Sequence, residues 1–379
     1  MPESDMPRPI QVFIDVRDLR IAKTGAKTVL EEICLQLKKG YPGFTIHFID
    51  TPFPVYTGKN KWLKALEHAR FFGWKQFTLP IICMVRGCDI LFCTDYFLPL
   101  FPVRFKTAVI FYDAFFWQYP EQYNRFWLKL LHHIAVPAAR RASAIITISH
   151  HSKEQIVQCV GLPPEKIHAI HLAPKSSSGI VSADYHASAE SGKKYILHIG
   201  VLEKRKNLLN LIKAFALLKE AGYENYNLVL AGGTVPKHKL DDSGNIRRLI
   251  KELNLEEAVI LPGFISDEAL AHYYQQASLY AFVSVNEGFG LPILEAFQHR
   301  LPTLIANNSC LPEVGGDAVL TCDPYDPVDI AEKMKMIVSN PALQEELIQK
   351  GLRRLHDFSW EKTTDELMQV FRELVKEKN

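Results

Sequence analysis

Short apolar runs alternate with amphipathic segments along almost the whole chain. In the first half the runs 11–15, 45–48, 90–93, 108–111 and 144–148 have the length of strands, and 28–38 and 126–139 between them have helical spacing. The second half repeats the pattern, with strand-length runs at 195–199, 228–231, 258–261, 279–283, 303–305 and 318–320 and a helical segment at 208–221. Runs of this kind predict strands, and their alternation with helical segments predicts parallel sheets covered by helices on both faces. The Ser/Ala/Gly-rich stretch 176–193 interrupts the pattern and reads as a linker. The expectation is therefore an α/β protein of two Rossmann-like parallel-sheet domains, 1–175 and 194–359. They would face a central cleft, because ligands of such sheets bind beyond the carboxyl ends of the strands.

Composition supports two packed cores: 47% of the 379 residues are apolar and 23% charged. The polar, Pro-containing start does not read as a secretory signal, and no apolar run approaches the ~18 residues a spanning helix needs. The seven cysteines, at 34, 83, 88, 93, 159, 310 and 322, form no zinc spacing and read as thiols of a reducing cytoplasm. Charge changes the picture more. Residues 1–180 carry 22 Lys/Arg against 14 Asp/Glu, whereas the remainder of the chain is acidic by six charges. The first half would suit an anionic partner, a phosphorylated acceptor or a membrane surface, or the asymmetry is simply an uneven surface. The segment 59–75 sharpens the first option. It interleaves Lys59, Lys61, Lys64, Arg70 and Lys75 with Trp62, Leu63, Leu66, Phe71, Phe72 and Trp74, as an interfacial helix on an anionic inner membrane face would, or as core aromatics under the first sheet would.

Two segments carry the chemistry. The run 286–295 follows an apolar strand and reads Asn286, Glu287, Gly288, Phe289, Gly290, Leu291, Pro292, Ile293, Leu294, Glu295. Its glycines allow a tight turn and close ligand approach, and Pro292 suits a helix start, whose free N–H groups would receive a phosphate. Glu295, one turn on, could accept hydrogen bonds from a ribose diol, and Glu287 could face a sugar ring. A strand–turn–helix with surface carboxylates is the plainer alternative. The run 200–207 opens with Gly200 after another strand and places Lys204, Arg205 and Lys206 before an amphipathic helix, where they could neutralise a diphosphate or merely be solvated. No Asp-x-Asp pair for a divalent ion occurs anywhere.

These segments resemble the Glu-x7-Glu motif and the G-x-L-x-x-R-K-N loop of family 4 of the retaining glycosyltransferases (glycosyl transferases group 1), and the resemblance implies the GT-B fold. By that resemblance Glu295 binds the nucleotide ribose, Glu287 contacts the transferred sugar near the reaction centre, Gly288 to Leu291 hold phosphate and sugar hydroxyls, and Arg205 and Lys206 hold the diphosphate. Weaker matches extend it. The strand end before Gly233 and the turn at Phe264 and Ile265 would meet the base. Gly25 would face acceptor and sugar, and Tyr112 with Asp113 would face the donor sugar, Tyr112 standing where many members have His. Ser149 would line the cleft, or cap a helix, with the adjacent His150 and His151 not read as metal ligands. The Phe358–Trp360 segment would lead a last helix, about 360–379, back onto the first, acceptor-side domain. What is implied is a metal-independent hexosyltransferase without cofactor, taking GDP-mannose or a UDP-sugar as donor and a glycan or lipid-linked acceptor, with no nucleic-acid partner. It would be mannosyltransferase-like, cytoplasmic, and peripheral on the inner membrane face, and would serve cell-surface polysaccharide or glycolipid synthesis. A sugar-nucleotide epimerase, a glycan phosphorylase, or a non-catalytic nucleotide-sugar binder on the same fold are the competing readings.

Overall fold

The computed structural model describes residues 8–22, 24–58, 60–175, 194–234 and 239–376; the expected linker 176–193 and Lys59 lie outside them. The chain forms two compact units, Met1–Leu172 with Trp360–Asn379, and Ala173–Ser359.

The first unit holds a six-stranded parallel sheet in the order β2-β1-β3-β4-β5-β6. Its strands are β1 (Ile10–Asp15), β2 (Phe44–Ile49), β3 (Ile90–Cys93), β4 (Lys106–Ile110), β5 (Ala144–Thr147) and β6 (Ile167–Ala169). β3 and β5 are buried at every residue, as central strands covered on both faces must be. The three-residue edge strand β6 was not expected, because Ile-His-Ala is too short and too polar to stand out. The last helix, Trp360–Lys376, packs on the helix Thr24–Lys38. Phe371 meets Phe92 at 5.4 Å between ring centres, and the Thr363 hydroxyl donates to the His171 carbonyl at 2.7 Å.

Two helices of this unit continue through a wide turn into a further helix. The helix Lys61–Gly73 passes through a π turn, Trp74–Thr78, into Leu79–Val85, and the helix Arg125–Leu130 passes through a π turn, Leu131–Ala135, into Val136–Arg141. Each wide turn begins six residues before a proline, Pro80 or Pro137. Proline offers no N–H and crowds the carbonyl four residues back, so a locally widened turn lets the helix continue. Period-counting along 126–139 sees one regular helix and misses this.

The second unit repeats the architecture in the order β12-β11-β10-β7-β8-β9. Its strands are β7 (Lys194–Ile199), β8 (Tyr226–Ala231), β9 (Val259–Gly263), β10 (Leu279–Phe282), β11 (Thr303–Ala306) and β12 (Leu320–Cys322). β12 begins two residues later than expected, because the Ala318 N–H is used to close a turn onto Gly315. Leu208, Leu211, Ile212 and Phe215 bury one stripe of the helix Leu208–Glu220 in the core of this unit, each side chain worth ~1.5–3 kcal/mol of apolar transfer.

In both sheets the earliest strand is an interior one, and the chain builds first to one side of it, then to the other. The loops after β1 and β3, and after β7 and β10, therefore leave the carboxyl edge in opposite directions and open a crevice there. In the second unit this edge is drawn tight at Gly232, where a Cβ would lie 2.0 Å from the Gly200 carbonyl oxygen. Gly232→Ala should destabilise the protein by about 1–3 kcal/mol, as other overpacked positions do. Denaturant unfolding with an unchanged midpoint would show that the strand ends can separate freely.

Candidate functional site

The crevice of the second unit is built from the two segments singled out above. Gly290, at φ 100°, turns the chain into the helix Leu291–Gln298, and a side chain there would also crowd Leu311 and Ile293 at 3.1 and 3.2 Å. Opposite, Asn207 adopts a left-handed conformation (φ 59°) ahead of the helix Leu208–Glu220, held by hydrogen bonds from its amide to the carbonyls of Val283 (3.1 Å) and Pro324 (2.6 Å). The Val285 N–H donates to the Arg205 carbonyl at 2.9 Å, so the two loops are joined through their backbones.

The side chains complete the junction. Arg205 donates through Nη1 to Glu287 Oε2 (2.5 Å) and to the Asn286 carbonyl (2.7 Å), and through Nη2 to Glu203 (2.7 Å). Lys206 Nζ donates to the other oxygen of Glu287 at 2.7 Å. Glu287 is only 7% exposed. Burial alone would raise its pKa, but the two cations outweigh it and hold the carboxyl at about 2. Lys206 is shifted down, first by burial and then by Arg205, with Glu287 resisting. Beneath Gly200, buried His198 is driven to about 4 by desolvation, is neutral, and sits with Nδ1 2.9 Å from the Ala281 carbonyl.

Glu295 lies in the helix after Gly290, and the hydroxyl of Tyr274 donates to its Oε2 at 2.8 Å. Tyr274 is buried and stacks on His299 at 5.2 Å. Gly288 and Phe289 are buried and Leu291 half-buried. The Phe289 ring packs at 6.1 Å from Phe358, so any ligand contact there falls to its backbone. Gly233 has open space where a side chain would stand, and its carbonyl accepts from Leu202; the glycine that the close approach requires is Gly232. Phe264 is 87% exposed and Ile265 half-buried.

In the first unit Tyr112 follows β4 and donates to the Thr94 carbonyl at 3.2 Å; burial pushes its phenol far above the ordinary range. Asp113 accepts the Phe115 N–H at 3.0 Å and starts the short helix Phe115–Gln118. Ser149 is buried and accepts the Ser152 N–H at 3.0 Å, capping the helix His150–Gln155. Gly25 lies exposed in the first turn of Thr24–Lys38. The sequence reading missed a buried ionic cluster beside these residues. Lys75, fully buried, bonds Asp15 at 2.7 Å and Asp95, and the Trp74 indole donates to Asp15 at 3.3 Å. Burial works against the ammonium, but Asp15 and Asp95 raise it well above its ordinary value, so Lys75 is charged.

Residues 184–354 match the family model described as glycosyl transferases group 1. The chain is 28% identical to the O-antigen chain mannosyltransferase B of Escherichia coli over 72% of its own length and 71% of that enzyme's. It is 23% identical to the O-antigen chain mannosyltransferase RfbU of Salmonella typhimurium over 75% and 74%. Among solved structures, a sucrose-phosphate synthase from Thermosynechococcus elongatus superposes with a TM-score of 0.73 at 18% identity, covering 98% of this chain and 100% of that one. Anabaena Alr3699/HepE in complex with UDP-glucose gives 0.70 at 17% identity, covering 96% and 100%. Residues 184–354 thus form a glycosyl transferases group 1 domain.

In this glycosyltransferase the Glu287 ion pairs give a pH signature. The folded pKa of about 2 lies below the ordinary 4.5, so the carboxylate contributes stability in full above pH 4.5 and loses it as pH falls toward 2. The contribution is on the order of 3 kcal/mol from the size of that shift. Glu287→Gln should be the less stable protein at pH 7 and converge on wild type by pH 2 to 3. Parallel stability–pH curves from equilibrium unfolding would contradict the ion pairing.

Proposed function

We propose that this glycosyltransferase moves a hexose, with retention at the anomeric carbon, from a nucleotide-sugar held in the second unit to a glycan or lipid-linked acceptor during polysaccharide assembly. The observation that carries the reading is the convergence of Arg205 and Lys206 on Glu287 at the switch point of the second sheet. A diphosphate is the ligand such a pair of cations suits. As the sugar–phosphate bond breaks, negative charge grows on the leaving phosphate, and fixed cations with the N-terminal N–H groups of Leu291–Gln298 would stabilise it without a metal. Glu295, steadied by Tyr274, would accept the ribose hydroxyls, with Gly288 and Gly290 leaving room for phosphate and sugar. Gly200 and Gly233 would border the diphosphate, Phe264 and Ile265 the base, and Tyr112 and Asp113 the sugar. Gly25 and Ser149 complete the set on the first unit. GDP-mannose is the preferred donor because the E. coli and Salmonella relatives are mannosyltransferases; a UDP-sugar comes second.

Peripheral docking on the cytoplasmic face of an anionic membrane forms part of this proposal. Among the described residues no helix is long and apolar enough to cross a membrane. The structure changes which side chains would dock. Phe71, Trp74 and Lys75 are buried and drop out of the expected face, whereas Trp62 is 86% exposed and Leu63, Leu66, Phe77, Ile81, Met84 and Val85 are exposed along the same helical stretch. Lys61 and Lys64 stand beside them, and each cation near anionic lipid is worth ~1 kcal/mol.

Transfer should survive excess chelator, and Lys206→Ala should lower turnover by roughly 10²-fold or more. Loss of activity with chelator and rescue by manganese would refute metal independence. Glu295→Ala should weaken binding of the nucleotide-sugar in calorimetry while leaving the fold intact; an unchanged affinity would remove it from the ribose site. Wild type should float with anionic liposomes at low salt and Trp62→Ala with Val85→Asp should not; indifference of wild type to such vesicles would end the docking proposal.

A further inference from the structure

The charged junction of the second unit is closed on itself. Arg205 and Lys206 are its cations, Glu287 and Glu203 its carboxylates, and the four side chains are between 9% and 19% exposed. Glu287 gives one oxygen to each cation, at 2.5 and 2.7 Å, whereas Glu203 meets Arg205 alone. The four charges sum to zero. What remains for an anion is the partial charge at the start of the helix Leu291–Gln298, about half a unit. A donor or product diphosphate brings at least two negative charges, and an unpaired charge out of water is costly. One of the carboxylates must therefore release its cations when a diphosphate arrives.

Geometry selects Glu287. Without it each cation keeps a hold: Arg205 on Glu203 and on the Asn286 carbonyl, both at 2.7 Å, and Lys206 with Nζ 5.0 Å from the centre of the Phe282 ring. The backbone around Glu287 is tied as well. The Val285 N–H donates to the Arg205 carbonyl at 2.9 Å, and the Cys310 thiol donates to the Glu287 carbonyl at 3.1 Å. The carboxylate arm is the part that can turn away while both cations stay in place. Departure of Glu203 would free one nitrogen of Arg205 and nothing of Lys206. Two cations left side by side repel each other, and phosphate oxygens replace the carboxylate well, since they too accept charge-assisted hydrogen bonds from both.

Resting on the reading of this crevice as a nucleotide-sugar site, we infer that Glu287 is the resting counter-ion of the diphosphate subsite. Its carboxylate occupies Arg205 and Lys206 in the free protein, leaves them when the donor's diphosphate binds, and retakes them after transfer, competing the nucleoside diphosphate off. Glu287 is in this sense a brake on donor and product affinity. A ligand's affinity is reduced by the fraction of protein in which its site is open, and removing the competitor removes that reduction. Because the two cations hold its carboxyl at about 2, Glu287 competes as a full anion at neutral pH.

The test is calorimetry of GDP and UDP, each beside its monophosphate GMP or UMP, on the full chain at pH 7. Glu287→Gln should bind the preferred diphosphate roughly tenfold tighter than wild type. The monophosphate, which lacks the second phosphoryl group, should gain less, a difference that a merely structural residue would not produce. Glu287→Asp keeps the charge on an arm one methylene shorter, so its grip on the two cations is weaker. Its affinity should fall between the other two, and it carries the test should Glu287→Gln fail to fold. Glu203→Gln removes a negative charge from the same cluster without freeing Lys206, and should gain less than Glu287→Gln. Three results overturn the counter-ion role and leave the donor reading standing: Glu287 variants no tighter than wild type, equal gains for mono- and diphosphate, or an equal gain in Glu203→Gln. Absence of diphosphate binding by every one of these proteins overturns the donor reading instead.

Discussion

Each sheet of this protein is parallel and starts at an interior strand, and the crevices follow from that constraint. A parallel strand must be reached by a crossover, and crossovers that build outward on both sides of the first strand cannot cover the point from which they diverge. At the carboxyl edge two neighbouring loops are thus left facing each other across a gap. In the second unit these are the loops carrying Arg205, Lys206 and Glu287; in the first they carry Asp18 and Asp95. The helices that cover the sheets supply stability, and the reversal of strand order supplies the place for ligands.

The two crevices differ in how their buried charge is balanced. In the second unit Arg205 and Lys206 share Glu287 and Arg205 also pairs with Glu203, so two cations are balanced by two carboxylates. In the first unit the single cation Lys75 is shared by Asp15 and Asp95, with Asp18 nearby, and burial lifts Asp95 to about 7 and Asp18 above its ordinary range. Neither local balance follows the half of the chain that carries it, since residues 1–180 are basic and the remainder acidic. Surface charge is screened within about 8–10 Å and reports on long-range steering, whereas a paired cluster out of water acts at contact distance. Which sign a ligand meets is therefore a property of a few buried pairs.

Much of the crevice of the second unit was legible in the sequence because its elements are local. Gly290, Pro292 and Glu295 lie within one strand–turn–helix, and Gly200 to Asn207 within another, so spacing along the chain is close to spacing in space. Tyr274, His198 and Gly232 were not legible. Tyr274 reaches Glu295 from a different helix, His198 hides under a glycine, and the need for Gly232 is set by the carbonyl of a neighbouring strand. In 59–75 the same limit left two readings open: Trp74 and Lys75 belong by composition with the exposed Trp62 and Lys64, yet a wide turn ahead of Pro80 carries them inward to Asp15.

The sequence by itself determined the alternation of strands and helices, hence the parallel sheets, because burial on both faces demands continuous apolar runs that can be read directly. It also determined which loops bear Arg205, Lys206 and the two glutamates. Tertiary structure alone decided which of these charges are joined, which carboxylate holds both cations, and which aromatics are buried. Those properties depend on distances between residues far apart in the chain, and a one-residue change in helix phase, such as the turn before Pro80, is enough to exchange an exposed side chain for a buried one.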